Sequence, residues 1–239
     1  MLTNNYIHVI PTTNSNRRLY MITSILFDLD DLIVNSSGIH FAAFENALKS
    51  FGIKVFNIPH DLKIKVYGLR IREIMELLID YFKLEVDLEE LLKVRNNYFM
   101  QFVKQGVTPM PGLDVILANI DKWKMKRAIA TSGINEYVSE VVRQLKLGKY
   151  FSNIVTGDQV KNSKPAPDVF LAAAKKLKSR SDECVVLEDS TNGIIAAKNA
   201  NMKAIGVRNS MTEAGQDLSK ADLIVNRLDE ITYEMLKQL

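Results

Sequence analysis

The residues best equipped for chemistry stand at the end of an apolar run, Ser24-Ile25-Leu26-Phe27-Asp28-Leu29-Asp30-Asp31-Leu32-Ile33-Val34-Asn35. β-type residues give way abruptly to carboxylates, and Ser36-Ser37-Gly38 then breaks the pattern. Asp28 and Asp30 lie two apart, so in an extended segment their side chains leave on the same side. Carboxylates crowded at one strand end repel each other and are costly unless a cation neutralises them. Oxygen ligands of this kind suit Mg²⁺ better than zinc or copper. An acidic, solvated turn after a strand would carry the same residues without any chemistry, so the rest of the chain must decide.

Strand–helix alternation would bring further polar residues to the same edge. After Met110-Pro111-Gly112, Leu113 to Trp123 reads as a helix and Arg127 to Ala130 as a strand closed by Thr131-Ser132-Gly133. Asn135 to Leu145 reads as a helix with Val138, Val141, Val142 and Leu145 on one face. Ile154-Val155-Thr156 is a short strand, and Pro167 stands at the start of a helix running through Lys178. Val185-Val186-Leu187 is a strand ending at Glu188-Asp189, with a helix from Asn192 to Asn199 behind it. Ala204 to Val207 and Leu223 to Val225 are further strands, and Asp229 begins a closing helix. Such alternation predicts an α/β fold, a doubly wound parallel sheet with helices on both faces. Ligands of such sheets sit beyond the carboxyl ends of the strands. Asp28 and Asp30, Thr131 and Ser132, Lys164, and Glu188 and Asp189 would therefore share one edge. Together they offer carboxylates for a metal, hydroxyl and N–H groups for phosphate oxygens, and a lysine as a point charge.

Between the first strand and Gly106 no strand pattern appears. Phe41, Phe44, Leu48 and Phe51 fall near helical spacing within His40 to Phe51, and Ile58-Pro59-His60 interrupts. A second helical pattern runs from Arg70 to Phe82, and Asp87 reads as the N-cap of a third helix, Leu88 to Gln105. The expected layout is a disordered, Asn/Thr-rich extension at 1–20, an α/β core formed by 21–36 and 107–239, and an inserted α-helical domain at 37–106.

Composition narrows the function classes. The 239 residues carry a formal charge of only +3, with 47% hydrophobic and 25% charged residues. The short basic tract Lys122-Trp123-Lys124-Met125-Lys126-Arg127 reads as a solvated helix end, so no nucleic-acid partner is expected. No run approaches the roughly 18 apolar residues of a membrane span. Residues 1–20 lack the apolar core of a secretory signal. The single cysteine, Cys184, demands no oxidising compartment. A cytoplasmic monomer is expected. Walker-type and dinucleotide-binding glycine motifs, a H-E-x-x-H zinc site and a G-x-S-x-G elbow are all missing from the sequence.

Four segments in this order carry a resemblance: Phe27-Asp28-Leu29-Asp30, Ala128-Ile129-Ala130-Thr131-Ser132-Gly133, Ser163-Lys164-Pro165-Ala166-Pro167-Asp168-Val169-Phe170, and Leu187-Glu188-Asp189-Ser190. The chain resembles the haloacid dehalogenase superfamily, in the branch with an α-helical cap that includes β-phosphoglucomutase and sugar-phosphate phosphatases. That resemblance implies Asp28 as nucleophile and Asp30 as general acid/base. It implies Mg²⁺ held by Asp28, the main-chain carbonyl of Asp30 and Asp189, with Glu188 assisting, and phosphate held by Thr131, Ser132 and Lys164. On the cap it points to His40, with Ser36 nearby, and to Gly68, Arg70 and Arg72 for substrate contact. Asp31 and Leu32 depart from the family, which usually has Gly and then Thr or Val there. Ile71 and Val94 stand where the mutase has an arginine and a lysine, Arg95 being one position off. The expected function is a Mg²⁺-dependent phosphatase acting on a small phosphorylated metabolite, a sugar or polyol phosphate. A hexose-phosphate mutase and a noncatalytic phosphate-binding regulator are the alternatives. The cap should open and close about linkers near Asn35–Gly38 and Gln105–Pro111.

Overall fold

Side chains alternate along a strand, and that alternation divides the apolar residues of this chain between two faces of one sheet. The computed structural model describes residues 21–53, 71–209 and 215–239; the expectations for residues 1–20, Gly68 and Arg70 lie outside the described residues. Six strands, β1 (Ser24–Phe27), β2 (Lys126–Ala130), β3 (Ile154–Val155), β4 (Cys184–Glu188), β5 (Lys203–Val207) and β6 (Leu223–Val225), pair in parallel in the order β3-β2-β1-β4-β5-β6. On one face Ile25, Phe27, Ile129, Val185 and Leu187 pack with Ile116 and Ile120 of α4 (Leu113–Trp123) and Val138 and Val141 of α5 (Asn135–Gln144). On the other, Leu26, Ala128 and Val186 meet Phe170 and Ala173 of α6 (Asp168–Leu177) and Ile194 and Ala197 of α7 (Thr191–Asn199). The fold is the expected doubly wound sheet, with helices inserted after β1.

Register decides what meets at the sheet edge. Phe27 lies opposite Ile129 on β2 and Leu187 on β4. One step further along, Asp28 is level with Ala130 and Glu188, so the polar residues after all three strands emerge together. The strand order turns back between β1 and β4, and such a reversal opens a crevice at the carboxyl ends.

The inserted helices are α1 (Ser37–Ser50), α2 (Ile71–Phe82) and α3 (Leu88–Gln105). They share a small apolar cluster of Ala47, Leu48, Met75, Leu91 and Leu92. The later part of α3 instead delivers Phe99 and Val103 to the sheet-face core. Asp87 caps α3 as expected, its carboxylate accepting from Glu90 N at 2.9 Å. The two chain crossings into and out of these helices run side by side. Val34 pairs with Pro109 in antiparallel sense, Asn35 N donates to Thr108 O and Met110 N to Ile33 O, both at 2.9 Å.

Two helix boundaries differ from the periodicity by more than one residue. The first helix starts at Ser37, ahead of His40, because Asp31 supplies acceptors for its opening N–H groups. Asp229 does not begin the last helix: it lies in a 3₁₀ turn, Leu228–Glu230, with its carboxylate forked onto Arg227. The closing helix α8 (Tyr233–Gln238) begins after Thr232, whose hydroxyl accepts from Met235 N at 3.2 Å.

Candidate active site

Asp28 is the first residue past β1, yet its N–H still donates to Leu187 O at 3.1 Å, so the sheet ladder pins its backbone. Its carboxylate is hydrogen-bonded and ion-paired to Lys164 Nζ, which also reaches Glu188 Oε1 at 2.7 Å. Lys164 comes from the loop before α6, and its ammonium sits 4.8 Å from the centre of the Phe170 ring. Asp28, Glu188 and Asp189 are all buried, and a carboxylate oxygen of each lies within 4.8 Å of the others. Burial pushes the Asp28 carboxyl up to about 7, Lys164 opposing and the charges of Glu188 and Asp30 adding to it. Asp189 is raised well above the usual carboxylate range by burial and then by the charges of Glu188, Asp28 and Asp31. Lys164 is raised as well: burial alone would lower it, but the charges of Asp28 and Glu188 and the hydrogen bonds to them outweigh that and hold it charged.

One ammonium therefore faces three buried carboxylates. That imbalance is costly, and a hard divalent cation with oxygen ligands would remove it. The donor set fits Mg²⁺. Glu188 is the most committed of the three acids, since one oxygen serves Lys164 and the other accepts from Ser190 N and Ser190 Oγ, both at 2.8 Å. α7 can approach this carboxylate only because residue 193 is glycine; a Cβ there would stand 1.7 Å from Glu188 Oε1.

The Asp30 side chain is 30% exposed, and its environment is of another kind. Its Oδ1 accepts from the Tyr137 hydroxyl at 2.6 Å, and His40 Nε2 lies 3.6 Å from the same oxygen. Burial alone would raise its pKa; the neighbouring His40 first, and then the Tyr137 hydrogen bond, outweigh that and lower it. His40 is stacked on Phe99 with ring centres 4.4 Å apart, and its Nδ1 contacts the Arg95 guanidinium. Arginine has only donors, so Nδ1 accepts and the ring proton sits on Nε2, toward Asp30. Arg95 itself is 3% exposed, lies against the Phe44 and Phe99 rings, and is lowered to about 10 by burial.

Thr131 is buried at the end of β2; its N–H donates to Val155 O at 3.1 Å and its Oγ1 accepts from Gly133 N at 3.0 Å. Its hydroxyl proton is left for another acceptor. Ser132 is exposed beside it. Arg72 makes a two-point pairing with Glu89 of α3, at 2.6 and 3.0 Å, on the exposed side of the inserted helices. Asp28, Asp30, His40, Lys164, Glu188 and Asp189 are thus linked by direct contacts or short separations, whereas Arg72 is engaged elsewhere.

Asp31 has a left-handed backbone, φ 56°. Its carboxylate accepts from Ser36 N and Ser37 N, each at 3.0 Å, and from the Ser37 hydroxyl. The acid that stands out of place in the sequence is therefore spent on starting α1. Sequence reasoning passed over Tyr137 and set Arg95 aside. A tyrosine one residue from Val138 on a buried helix face carries a weak signal, because a buried phenol needs a partner for its hydroxyl.

Residues 25–207 match the family of haloacid dehalogenase-like hydrolases. A phosphorylated carbohydrates phosphatase of Thermotoga maritima is 30% identical over 221 residues, covering 90% of this chain and 99% of the relative. The β-phosphoglucomutase of Bacillus subtilis is 27% identical over 223 residues, covering 90% and 94%. Among solved structures, a hydrolase from Pseudomonas syringae superposes with a TM-score of 0.71 at 27% identity, covering 91% of this chain and 99% of that one.

Proposed function

Because the chain belongs to the haloacid dehalogenase-like hydrolases, we propose that it is a Mg²⁺-dependent phosphatase hydrolysing a small phosphorylated metabolite of the sugar- or polyol-phosphate class. The observation that carries this reading is the buried set of Asp28, Lys164, Glu188 and Asp189 beside an Asp30 held in a different environment. Without metal Asp28 is raised and Asp30 lowered, the reverse of what a nucleophile and an acid need; a bound cation would lower Asp28. The two roles rest on the contacts, Asp28 on Lys164 and Asp30 beside His40 and Tyr137.

In the first step an Asp28 oxygen forms a bond to phosphorus while the bond from phosphorus to the substrate oxygen breaks. Asp30, entering as the acid, gives its proton to that oxygen and is left as a carboxylate. In the second step water attacks the aspartyl-phosphate, Asp30 takes its proton, and the bond from phosphorus to Asp28 breaks, releasing phosphate. Lys164 offsets charge between Asp28 and the incoming dianion, and the Thr131 hydroxyl is placed to donate to a phosphoryl oxygen. Ser132 is a weaker candidate for the same task. Asp28, Asp189 and the main-chain carbonyl of Asp30 would hold the metal, with Glu188 mainly fixing Lys164. When bound, Mg²⁺ neutralises the acidic set and the developing phosphoryl charge.

We assign residues 37–106 to a cap over this edge and 21–36 with 107–239 to the core. The paired linkers at Val34 and Pro109 support a hinge there. His40 is the cap residue best placed to contribute. Among the described residues no helix is long and apolar enough to cross a membrane. We place the enzyme in the cytoplasm as a monomer, with no nucleic-acid partner.

Phosphate release from a panel of sugar, polyol and nucleotide monophosphates tests the proposal, run with Mg²⁺, with chelator and with Asp28→Asn. Release that survives either the chelator or the substitution would sink it. One observation favours the mutase as a second reading: Arg95 supplies a buried cation next to His40, one position from the expected lysine. Phosphoryl transfer between two positions of a hexose phosphate, dependent on a bisphosphate primer, would establish that instead.

A further inference from the structure

Tyr137 belongs to none of the four motifs, yet its hydroxyl makes the shortest contact to Asp30 described above, 2.6 Å to Oδ1. We propose that Tyr137 is the core-side positioning residue of the general acid/base, tying down Oδ1 of Asp30 so that the other oxygen faces the leaving group and later the water. The inference rests on the aspartyl-phosphate reading above.

Packing alone does not call for a phenol at this position. The ring is 3% exposed, meets Phe99 edge-on with centres 4.9 Å apart, and lies over Gly133, where an added Cβ would come within 3.0 Å of its Cδ1. Phenylalanine would satisfy every one of those contacts. The hydroxyl adds one thing, a donor to a carboxylate oxygen, and such charge-assisted bonds are among the stronger ones. The donor role follows from the pair itself, since a carboxylate oxygen only accepts and the phenol supplies the O–H.

The origin of the two groups on Oδ1 matters more. His40 approaches from α1 of the inserted helices, whereas Tyr137 approaches from α5, which packs on the sheet. Phe99 of α3 touches both, stacked on His40 and edge-on to Tyr137. A movement of the inserted helices would carry His40 and Phe99 away but leave Tyr137 where it is. Asp30 must act twice, as an acid with substrate bound and as a base when water enters. Tyr137 is the contact that can hold its orientation through both.

The test compares native protein with Tyr137→Phe, full-length and with Mg²⁺, on two probes. One is the best alkyl phosphate from the substrate panel, whose departing oxygen needs a proton. The other is p-nitrophenyl phosphate, whose leaving group departs without one. Loss of a hydrogen bond to a charged group should lower kcat/KM on the alkyl phosphate by about tenfold or more. KM on the alkyl phosphate should stay near native, and kcat/KM on the aryl phosphate, which reports phosphoryl transfer to Asp28 and not the later hydrolysis, should change by no more than about twofold. Asp30→Asn should show the same leaving-group contrast in larger measure. Equal losses on both probes would mean a merely structural role, and unchanged kinetics on both would mean no role; either overturns the proposal. If Asp28→Asn is inactive while Tyr137→Phe is silent, only this inference falls. If Asp28→Asn still turns over, the aspartyl-phosphate reading falls with it.

Discussion

Replacing Asp31 separates what its charge does from what its hydrogen bonds do. Its carboxylate accepts from Ser36 N and Ser37 N at 3.0 Å each, and Ser36 is fully buried, so that N–H has no route to water once the acceptor is gone. Losing such charged acceptors at a helix start should cost about 2–3 kcal/mol. Asp31→Ala also puts a Cβ residue without a local polar partner at φ 56°, adding about 1 kcal/mol. Asp31→Gly loses the same bonds but relaxes the backbone, so its net cost is about 2 kcal/mol. At about 2–4 °C per kcal/mol for a chain of this size, Tm should fall by about 6–16 °C for Ala and about 4–8 °C for Gly. Asp31→Asn keeps one acceptor oxygen and tolerates the left-handed backbone without the charge, and should lie between native and Gly. Denaturant and thermal unfolding give the order, and phosphate release from the same samples gives activity. Because Asp31 is committed to α1, the Gly variant should retain turnover within about tenfold of native. A Gly variant as stable as native would refute the capping argument. Turnover rising sharply in Gly and Asn alike would show instead that the charge burdens the site.

Three further outcomes are expected. Lys164→Met leaves Asp28 and Glu188 without their shared cation, so it should lose about 3–5 kcal/mol of stability and at least about a hundredfold in kcat; native-like turnover would remove Lys164 from the mechanism. Gly193→Ala forces a Cβ to within 1.7 Å of Glu188, so Tm and kcat should fall together, and a native-like melting curve would contradict the close approach. With burial first among the causes, Asp28 titrates near 7 in the fold against an ordinary 3.8, so between those values the folded state binds more protons than the unfolded chain and metal-free stability falls as pH rises. Chelator-treated protein should therefore melt higher near pH 5 than near pH 8. Mg²⁺ should raise Tm more at the higher pH, because its ligands must be deprotonated. Asp28→Asn should flatten the pH dependence, and an unflattened profile would place its source elsewhere.

His40 and Arg95 show how reading by position differs from reading by contact. By position, Arg95 is one residue away from where a cap lysine belongs. A helix turns about 100° per residue, so one position normally redirects a side chain. Here the long guanidinium reaches His40 nonetheless, between the Phe44 and Phe99 rings. Arg72, which has a suitable sequence position, is instead paired with Glu89. Flexible cationic side chains follow the nearest acceptor or ring face, and sequence offset does not specify which that is.

Much of this protein is written locally in its sequence. Strand alternation, helix period, the Asp87 cap and the carboxylates closing β1 and β4 depend on residues within a turn or two of one another, and all are legible without a structure. The parallel order of the strands then follows from few options, and with it the convergence of Asp28, Lys164 and Glu188 on one edge. What only the tertiary structure decided are the partners drawn from distant segments. Tyr137 meets Asp30 across 107 positions, Lys164 meets Asp28 across 136, and Arg95 meets His40 across 55. No local period encodes such pairs. They arise when close packing brings helix faces together and each buried polar group must find a partner. Asp31 is the short-range counterpart: in sequence it is an extra charge beside the catalytic acids, and in the fold its carboxylate is taken up by the N–H groups of Ser36 and Ser37, five and six residues on, that begin α1.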